Sequence, residues 1–265
     1  MDLVFVKLGG SLITDKQRSG TVRVQDLQRC ANELADGSRG RRFRLVVGHG
    51  SGSFGHPAAQ RAGLLPGAQG QAQRAGVART HLEARRLHAR VLEALDDAGL
   101  CPFSLSASSF LVTEDRRPAQ LATEPMERVL ELGLVPLLFG DVVMDRVRGA
   151  AITSTETLFL EMIRRLKRHG HRVARVVWAG DTDGVLDSDG QPVRTLRPAA
   201  AARLARGLTG AAGPDVTGGI RHRLEIAAAM ARSGIPSLLV DGRQRDRLRD
   251  AVARGRATGS RIAPA

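Results

Sequence analysis

Residues 3–16 read LVFVKLGGSLITDK, and this stretch decides the fold of the chain. Its first part, Leu3–Leu8, is a nearly unbroken apolar run, which is typical of a strand buried on both faces of a parallel sheet. Two glycines follow the run directly, and Lys7 and Lys16 flank them. Ligands of open α/β sheets bind beyond the carboxyl ends of the strands. The stretch therefore predicts an α/β protein with a ligand site at the end of its first strand.

The alternation of apolar runs and helical patterns continues along the chain. Further apolar runs predict strands at Arg44–Val47, Pro102–Ser106, Val135–Phe139, Arg175–Ala179 and Ser237–Val240. Apolar residues with helical spacing predict helices at Gln25–Ala35, Ala78–Ala98, Glu124–Leu132, Thr155–His169 and Gly218–Arg232. We expect loops at Pro57–Gly76 and Gly207–Gly219, and a hairpin turn at Asp189-Gly190. The pattern predicts a mainly parallel sheet covered by helices, in a single domain with two lobes.

The composition excludes several classes of protein. The chain has 265 residues, of which 42% are hydrophobic, so it can bury a substantial core and is not intrinsically disordered. We find no apolar run long enough to span a membrane and no signal-peptide pattern. The two cysteines, Cys30 and Cys101, cannot form a disulfide framework or a cysteine-rich metal site. We therefore expect a cytoplasmic protein without a membrane partner.

The formal net charge of +13 points first to an anionic partner such as nucleic acid. However, the basic residues are spread along the whole chain, and aromatic residues, which stack on single strands, make up only 3% of it. Only three of the 40 basic residues are lysine, namely Lys7, Lys16 and Lys167, and two of these flank the first glycine turn. A lysine ammonium is a compact point charge on a flexible stem, so chemistry that needs it would resist replacement by arginine.

A second glycine-rich loop follows the second predicted strand. Residues 48–57 read GHGSGSFGHP. Because glycine has no Cβ, backbone N–H groups in such a loop can converge on a phosphate. Neither glycine loop has the spacing of a Walker A loop or of a dinucleotide fingerprint. Two such loops after neighbouring strands, each with a cationic or titratable side chain, predict a shared phosphate site.

Three later segments carry charged residues close to strand or helix ends. Asp141 lies just past a predicted strand, where it could orient lysines or a metal ion. Asp181 begins the loop DTDGV at residues 181–185, whose aspartates, taken alone, are ordinary turn formers. The segment DVTGG at residues 215–219 begins the helix that carries Arg223. That arrangement would direct a helix N-terminus and a guanidinium at an anion.

Together these motifs resemble the amino acid kinase superfamily, and within it the isopentenyl phosphate kinases. They occur in the family's order, as KLGGS at 7–11, ITDK at 13–16, HGSGSFGHP at 49–57, GDVV at 140–143, DTDGV at 181–185 and DVTGG at 215–219. The resemblance implies a three-layer α/β/α sandwich formed by residues 1–265 as a single domain. Its N-terminal lobe, residues 1–170 or so, would bind the phosphate acceptor, and residues 171–265 the nucleotide. The resemblance also implies a homodimer.

The resemblance implies an enzyme that uses ATP and Mg²⁺ to convert isopentenyl phosphate into isopentenyl diphosphate, in the alternative mevalonate route of isoprenoid biosynthesis. The implied catalytic residues are Lys7 and Lys16, which would grip the transferring phosphoryl group, and His56, which would bind the acceptor phosphate. The implied substrate contacts are Gly50, Ser51, His56 and Thr155. The implied ATP contacts are Lys7, Gly9, Gly10, Ser11, Gly52, Asp181, Gly219 and Arg223. Asp141 would have an orienting role, and no protein residues are assigned to a metal.

Two positions depart from the family pattern. The family usually has a lysine four residues after the second glycine of its Thr-Gly-Gly motif, where this chain has Arg223. We expect activity to be retained with altered nucleotide affinity, because arginine can also hold phosphate, even bidentately. Family members often have Gly-Asp-Asp where this chain has Thr155-Glu156-Thr157, which leaves the details of that substrate contact open.

Other functions stay open at this point. The same fold could act on another small phosphate or phosphonate acceptor, such as fosfomycin. Carbamate, glutamate and uridylate kinases share the fold, but binding of their acceptors does not require the motif around His56. A non-catalytic nucleic-acid-binding or regulatory protein would use the high positive charge, but binding to a phosphate backbone accepts arginine as readily as lysine. The positions of the lysines therefore favour an enzyme without a nucleic-acid partner.

Overall fold

The computed structural model describes residues 1–64, 67–68, 71–186, 191–207, 219–256 and 258–264. Its strands are β1 Asp2–Leu8, β2 Phe43–His49, β3 Pro102–Ser106, β4 Leu111–Glu114, β5 Arg117–Leu121, β6 Val135–Phe139, β7 Asp141–Asp145, β8 Gly149–Thr153, β9 Arg172–Gly180, β10 Thr195–Leu196, β11 Ser237–Asp241 and β12 Ser260–Ile262. Its helices are α1 Gly10–Ile13, α2 Val24–Ser38, α3 Gly52–Arg61, α4 Arg74–Asp97, α5 Ala107–Phe110, α6 Glu124–Glu131, α7 Thr155–Arg168, α8 Pro198–Gly207, α9 Gly219–Arg232 and α10 Arg247–Arg254, with a short 3₁₀ turn at Gln71–Gln73.

Eight strands form the central sheet in the order β10-β12-β11-β9-β1-β2-β6-β3. The neighbours from β11 to β3 pair in parallel, whereas β12 runs antiparallel to β11. Strand β1 lies between β9 and β2, so the carboxyl ends of these three strands meet at one edge. The predicted α/β class with a mainly parallel sheet is confirmed.

The alternation of side chains along β1 assigns its residues to the two faces of the sheet. Leu3 and Phe5 belong to a core shared with α6, α7, α8 and α9. Val4 and Val6 belong to a second core, shared with α2, α4 and α10. Lys7 lies two residues after Phe5, so its side chain is on the same face as Leu3 and Phe5, which is the face that α7 covers. Helices on both faces give the three layers of the sandwich.

Helix α7 shows how the sequence forms these covering helices. The hydroxyl of Ser154 accepts a hydrogen bond from the backbone N–H of Thr157, which caps the helix N-terminus. A buried stripe that includes Leu158 and Phe159 packs on the sheet. Basic residues occupy the last turn, where their positive charge interacts favourably with the negative end of the helix dipole. The cap places Thr155 and Glu156 in the first turn, beside the ends of β1 and β2.

A second sheet of four short strands, in the order β5-β4-β7-β8, was not predicted. Its hairpin turn has positive φ at Asp115 and Arg116. The carboxylate of Asp145 holds this turn and the next, because it accepts hydrogen bonds from the Thr113 hydroxyl and from the N–H groups of Asp115, Arg116, Val147 and Arg148. One buried carboxylate therefore organises both turns of the small sheet.

Replacing Asp145 by asparagine is expected to lower the free energy of unfolding near pH 7 by about 1–3 kcal/mol, because charge-assisted hydrogen bonds are lost. Burial alone would raise the pKa of Asp145, but the hydrogen bonds from Arg116 and the other donors hold it well below its ordinary value of 3.8. The carboxylate therefore stabilises the fold above about pH 4, and this contribution declines as the pH falls further. Urea unfolding near pH 7 and near pH 3 should show the difference between the two proteins shrinking in acid.

The control is Asp36→Asn, since Asp36 forms only an exposed ion pair with Arg39 among the interactions described. An equal loss of stability in both variants, or no pH dependence of the Asp145 effect, would show that the carboxylate does not organise these turns.

The predicted loop Pro57–Gly76 is partly wrong. Helix α3 runs through Pro57 to Arg61, and α4 already begins at Arg74. A proline removes the hydrogen bond to the carbonyl four residues earlier, here that of Ser53. This carbonyl instead accepts from the N–H of Gly20 at 3.0 Å, so the helix continues without an unsatisfied group.

Other predictions fall on parts of the chain that are not described. Three predicted features lie outside the described residues: the turn at Asp189 and Gly190, residues 208–218 of the second predicted loop, and the motif residues Asp215–Gly218. Among the described helices, none combines the length and the apolarity that crossing a membrane requires.

Candidate active site

Short backbone contacts connect the ends of β1, β2 and β9. The N–H of Gly9 donates to the carbonyl of Ala179 at 2.7 Å. The hydroxyl of Thr14 donates to the carbonyl of Gly10 at 2.7 Å and accepts from the N–H of Ser53 at 3.0 Å. The two glycine loops predicted to share a phosphate site are therefore held side by side.

Glycine is required where the two loops touch. A Cβ on Gly10 would lie 2.5 Å from the amide nitrogen of Gly52, and a Cβ on Gly52 would lie 2.2 Å from Oγ1 of Thr14. Gly52 also has a φ of +49°, which side chains disfavour. Among the described residues, none accepts a hydrogen bond from the amide N–H groups of Gly10, Ser11, Ser51 and Gly52. These four groups are available to an anion.

Gly10→Ala is expected to lower the free energy of unfolding by about 1–3 kcal/mol, because the new methyl group must push the second loop away. The displaced amides should also lower kcat/KM. The matched control is Gly207→Ala, where a Cβ meets no atom within 4 Å. Urea unfolding should show the control unchanged or slightly more stable, and identical behaviour of the two variants would mean that the loops are not in contact.

Lys7 is the buried cation of the site. Its ammonium forms an ion pair with Glu156 in the first turn of α7, and both side chains are 7% exposed. Although burial favours the protonated acid, the charges of Lys7 and Arg223 lower the pKa of Glu156 to about 2. Arg223 approaches from α9, with Nη1 3.1 Å from where a Cβ on Gly180 would stand. One buried carboxylate thus faces cations from β1 and α9.

Sequence reasoning assigned an orienting role to Asp141, which stays a prediction, since the structure shows its carboxylate with His81. The Asp141 carboxylate accepts from Nδ1 of His81, at 2.8 and 3.0 Å, and begins a strand of the small sheet. Lys7 lies on the α7 face of the central sheet, so the carboxylate beside it is Glu156. The signal in the sequence was an acidic residue in the first helical turn after the cap Ser154.

Lys16 is the exposed cation of the site. Its ammonium lies 3.7 Å from Oδ2 of Asp181, and the two side chains are 54% and 35% exposed. Exposed pairs of this kind contribute only about 0–1 kcal/mol, so Lys16 can exchange Asp181 for a phosphate at little cost. The two lysines therefore differ in environment, since Lys7 is held by a buried partner and Lys16 has a partner that is partly exposed to solvent.

The predicted acceptor residues lie around the second glycine loop. His56 is exposed on α3, and its Nδ1 lies 2.9 Å from the Ser51 hydroxyl. Thr155 is buried, and its hydroxyl donates to the carbonyl of His49 at 2.6 Å. That hydroxyl is used within the fold, so a substrate contact by Thr155 stays a prediction. Gly219 begins α9, one helical turn before Arg223.

The chain is similar to known proteins over most of its length. Residues 2–241 match the amino acid kinase family. The isopentenyl phosphate kinase of Haloferax volcanii is 34% identical over 230 residues, covering 87% of this chain and 89% of that protein. The isopentenyl phosphate kinase of Methanocaldococcus jannaschii is 27% identical over 233 residues, covering 84% of this chain and 86% of that protein. A crystal structure of an isopentenyl phosphate kinase superposes with a TM-score of 0.81 at 24% identity, covering 98% of this chain and 100% of that one.

Proposed function

The chain belongs to the amino acid kinase family and, within it, to the isopentenyl phosphate kinases, and we propose on this basis that it transfers the γ-phosphoryl group of ATP to isopentenyl phosphate. The product is isopentenyl diphosphate, an intermediate of isoprenoid biosynthesis. The proposal rests on one observation: Lys7, Lys16 and two glycine loops lie together at the carboxyl ends of adjacent parallel strands.

A phosphate acceptor does not require a strong general base. A phosphate monoester is already ionised at neutral pH, so the transfer depends on alignment and on neutralising the spreading negative charge. Lys7 provides a fixed positive charge, because Glu156 holds its ammonium. Lys16 provides a compact charge that can follow the phosphoryl group between oxygens.

The two glycine loops supply the neutral part of the anion site. The unpaired amides of Gly10, Ser11, Ser51 and Gly52 would donate to phosphate oxygens, as oriented backbone dipoles do in other phosphate sites. His56 would bind the acceptor phosphate, and its contact with the Ser51 hydroxyl orients the ring. We assign Gly50, Ser51 and His56 to the acceptor phosphate, and Gly10, Ser11 and Gly52 to the phosphates of ATP.

A small apolar cluster supports an acceptor with a hydrocarbon tail. Ala59 lies three residues after His56 on α3, so it shares the same side of the helix. It packs with Val142 and Ala150 of the small sheet, and the partly buried Val77 and Ile152 extend this cluster. We propose that a branched five-carbon tail on the acceptor would lie against the partly buried members of this cluster, Val77 and Ile152, which match it better than the sugar and base of a nucleotide acceptor.

The nucleotide would bind on the C-terminal side, near Asp181, Gly219 and Arg223. The Nε of Arg223 is buried and has no hydrogen-bond partner among the described residues, which favours an anionic ligand there. We propose that arginine at this position holds the ATP phosphates in place of the lysine expected from the family pattern.

Mg²⁺ fits the site as an ion carried by ATP. The described residues contain no group of three or more His, Cys, Asp or Glu side chains placed to hold a metal. Mg²⁺ in kinase sites is bound largely by phosphate oxygens and water, with one or two carboxylates, and Asp181, whose carboxylate pairs with Lys16, would supply one of them. When bound, the ion would neutralise charge on the β- and γ-phosphates.

The acceptor is tested by measuring ADP release from ATP with four candidates: isopentenyl phosphate, dimethylallyl phosphate, fosfomycin and UMP. We expect the highest kcat/KM with isopentenyl phosphate and negligible turnover with UMP. Turnover with fosfomycin but none with isopentenyl phosphate would favour the phosphonate kinase instead. Salt-sensitive DNA binding without any turnover would favour the nucleic-acid-binding alternative.

We also propose a cytoplasmic homodimer, as the family resemblance implies. Both cysteines are free thiols, which supports a reducing compartment. Burial raises the pKa of Cys30 to about 12, so this thiol is unreactive, and Cys101 is exposed. Sedimentation velocity of the purified protein tests the dimer.

A further inference from the structure

Two buried histidines form a hydrogen-bonded chain directly behind the second glycine loop. His49 ends β2 and His88 lies in α4, and Nε2 of His49 is 3.1 Å from Nδ1 of His88. At one end of the chain, Nδ1 of His49 is 3.1 Å from the carbonyl oxygen of Gly50. At the other end, Nε2 of His88 is 2.7 Å from the Ser104 hydroxyl. The rings stack on Phe139, and both are buried.

The partners fix the tautomer of each ring. Burial lowers the pKa of His49 to about 4 and that of His88 to about 2, so both rings are neutral at pH 7 and each carries one N–H. A carbonyl oxygen can only accept, so His49 must carry its proton on Nδ1 to bond Gly50. Its Nε2 is then an acceptor, and His88 must donate from its own Nδ1. The Ser104 hydroxyl completes the chain by donating to Nε2 of His88.

The orientation of one peptide group depends on this chain. The peptide that joins Gly50 to Ser51 is trans, so its N–H points opposite to its carbonyl. When His49 holds the Gly50 carbonyl, the Ser51 N–H faces away from the buried histidines. This amide is one of the four without an acceptor among the described residues. With the other His49 tautomer, a lone pair on Nδ1 would face the carbonyl oxygen, and the peptide would lose its anchor.

We propose that His88 is a positioning residue for phosphoryl transfer: by donating to Nε2 of His49, it holds the His49 ring in the orientation in which the Nδ1–H bonds the Gly50 carbonyl, so that the Ser51 amide stays directed at the acceptor phosphate. The proposal rests on the proposed function, because it takes the Ser51 amide as a phosphate ligand. His88 does not touch the substrate in this scheme and acts only through His49.

Two substitutions of His88 separate the hydrogen bond from packing. In His88→Asn, the amide nitrogen can take the place of Nδ1 and still donate to His49. In His88→Leu, the donor is lost although more of the side-chain volume is kept. If the hydrogen bond matters, the leucine variant is the worse enzyme, whereas a role in packing alone makes the asparagine variant the worse one, because it leaves the larger void.

We expect His88→Leu to raise KM for isopentenyl phosphate about tenfold, with kcat and KM for ATP little changed, and His88→Asn to stay close to the unmodified enzyme. Long-range ¹H–¹⁵N spectra of the histidine rings in the full-length protein should show a slowly exchanging, hydrogen-bonded Nδ1–H of His49 in the unmodified and asparagine proteins, and faster exchange of this proton in the leucine variant, where nothing holds Nε2. Thermal unfolding confirms that each variant is folded.

An unchanged exchange rate of the His49 Nδ1–H in His88→Leu, or a larger KM effect in His88→Asn, overturns the proposal. A protein that shows no turnover of isopentenyl phosphate would refute the proposed function. The ring spectra do not depend on turnover, so they would still report whether His88 holds the ring of His49. The two failures can therefore be told apart.

Discussion

Replacing Lys16 by methionine is expected to lower kcat by about 10²–10³-fold, while KM for ATP changes little. A charged donor that acts on the transferring group contributes mainly in the transition state, where loss of one such donor has an effect of about this size. The free energy of unfolding should be unaffected, because the ion pair between Lys16 and Asp181 is exposed and its charged atoms are 3.7 Å apart. Steady-state kinetics with isopentenyl phosphate and a thermal unfolding curve measure both quantities.

Lys16→Arg tests whether the compact shape of the cation matters. The charge remains, but the planar guanidinium is larger and cannot follow the phosphoryl group in the same way, so we still expect a clear loss of kcat. The matched control is Lys167→Arg, because Lys167 is the third lysine and lies exposed on α7, where its ammonium donates to the carbonyl of Ser233. A fully active Lys16→Arg enzyme would show that the compact shape of the Lys16 ammonium is not needed for phosphoryl transfer.

Replacing Lys7 by methionine is expected to have two separate effects. Activity should fall by at least about 10²–10³-fold, since a fixed cation of the anion site is lost. The free energy of unfolding should also fall by about 3–5 kcal/mol, because the Glu156 carboxylate is left buried without Lys7. Arg223 offsets part of this cost, since its charge also acts on Glu156. Urea unfolding and steady-state kinetics measure the two effects.

The double variant Lys7→Met with Glu156→Gln separates the catalytic role of Lys7 from its structural role. Neutralising Glu156 removes the unpaired buried charge, so most of the lost stability should return. Activity should not return, since the cation is still missing. Recovery of both stability and turnover in the double variant would mean that Lys7 serves the fold alone.

The central sheet could be predicted from the sequence because its strands are buried on both faces. Pro102–Ser106 and Val135–Phe139 have the predicted bounds, and β9 extends the predicted Arg175–Ala179 by a few residues. The small sheet could not be predicted in this way. Strands such as Arg117–Leu121 are short and largely exposed, so they lack a continuous apolar run, and a carboxylate at Asp145 holds their turns.

The candidate site was predictable where neighbouring strands determine it. Parallel pairing of β1 with β2 brings the two glycine loops together, which the order of apolar runs already indicated. The partners of these loops were not predictable, because Glu156 is 149 residues from Lys7 and meets it only through the packing of α7. The contact of His49 with His88 depends in the same way on where α4 crosses the sheet.

Phosphoryl transfer to isopentenyl phosphate is tested most directly by ³¹P NMR of a mixture of the protein, ATP, Mg²⁺ and isopentenyl phosphate. We expect the monophosphate resonance to be replaced by the two coupled resonances of a diphosphate, while ADP appears in equal amount. An isopentenyl phosphate resonance that stays unchanged while ATP is hydrolysed to ADP and inorganic phosphate would contradict the proposed function.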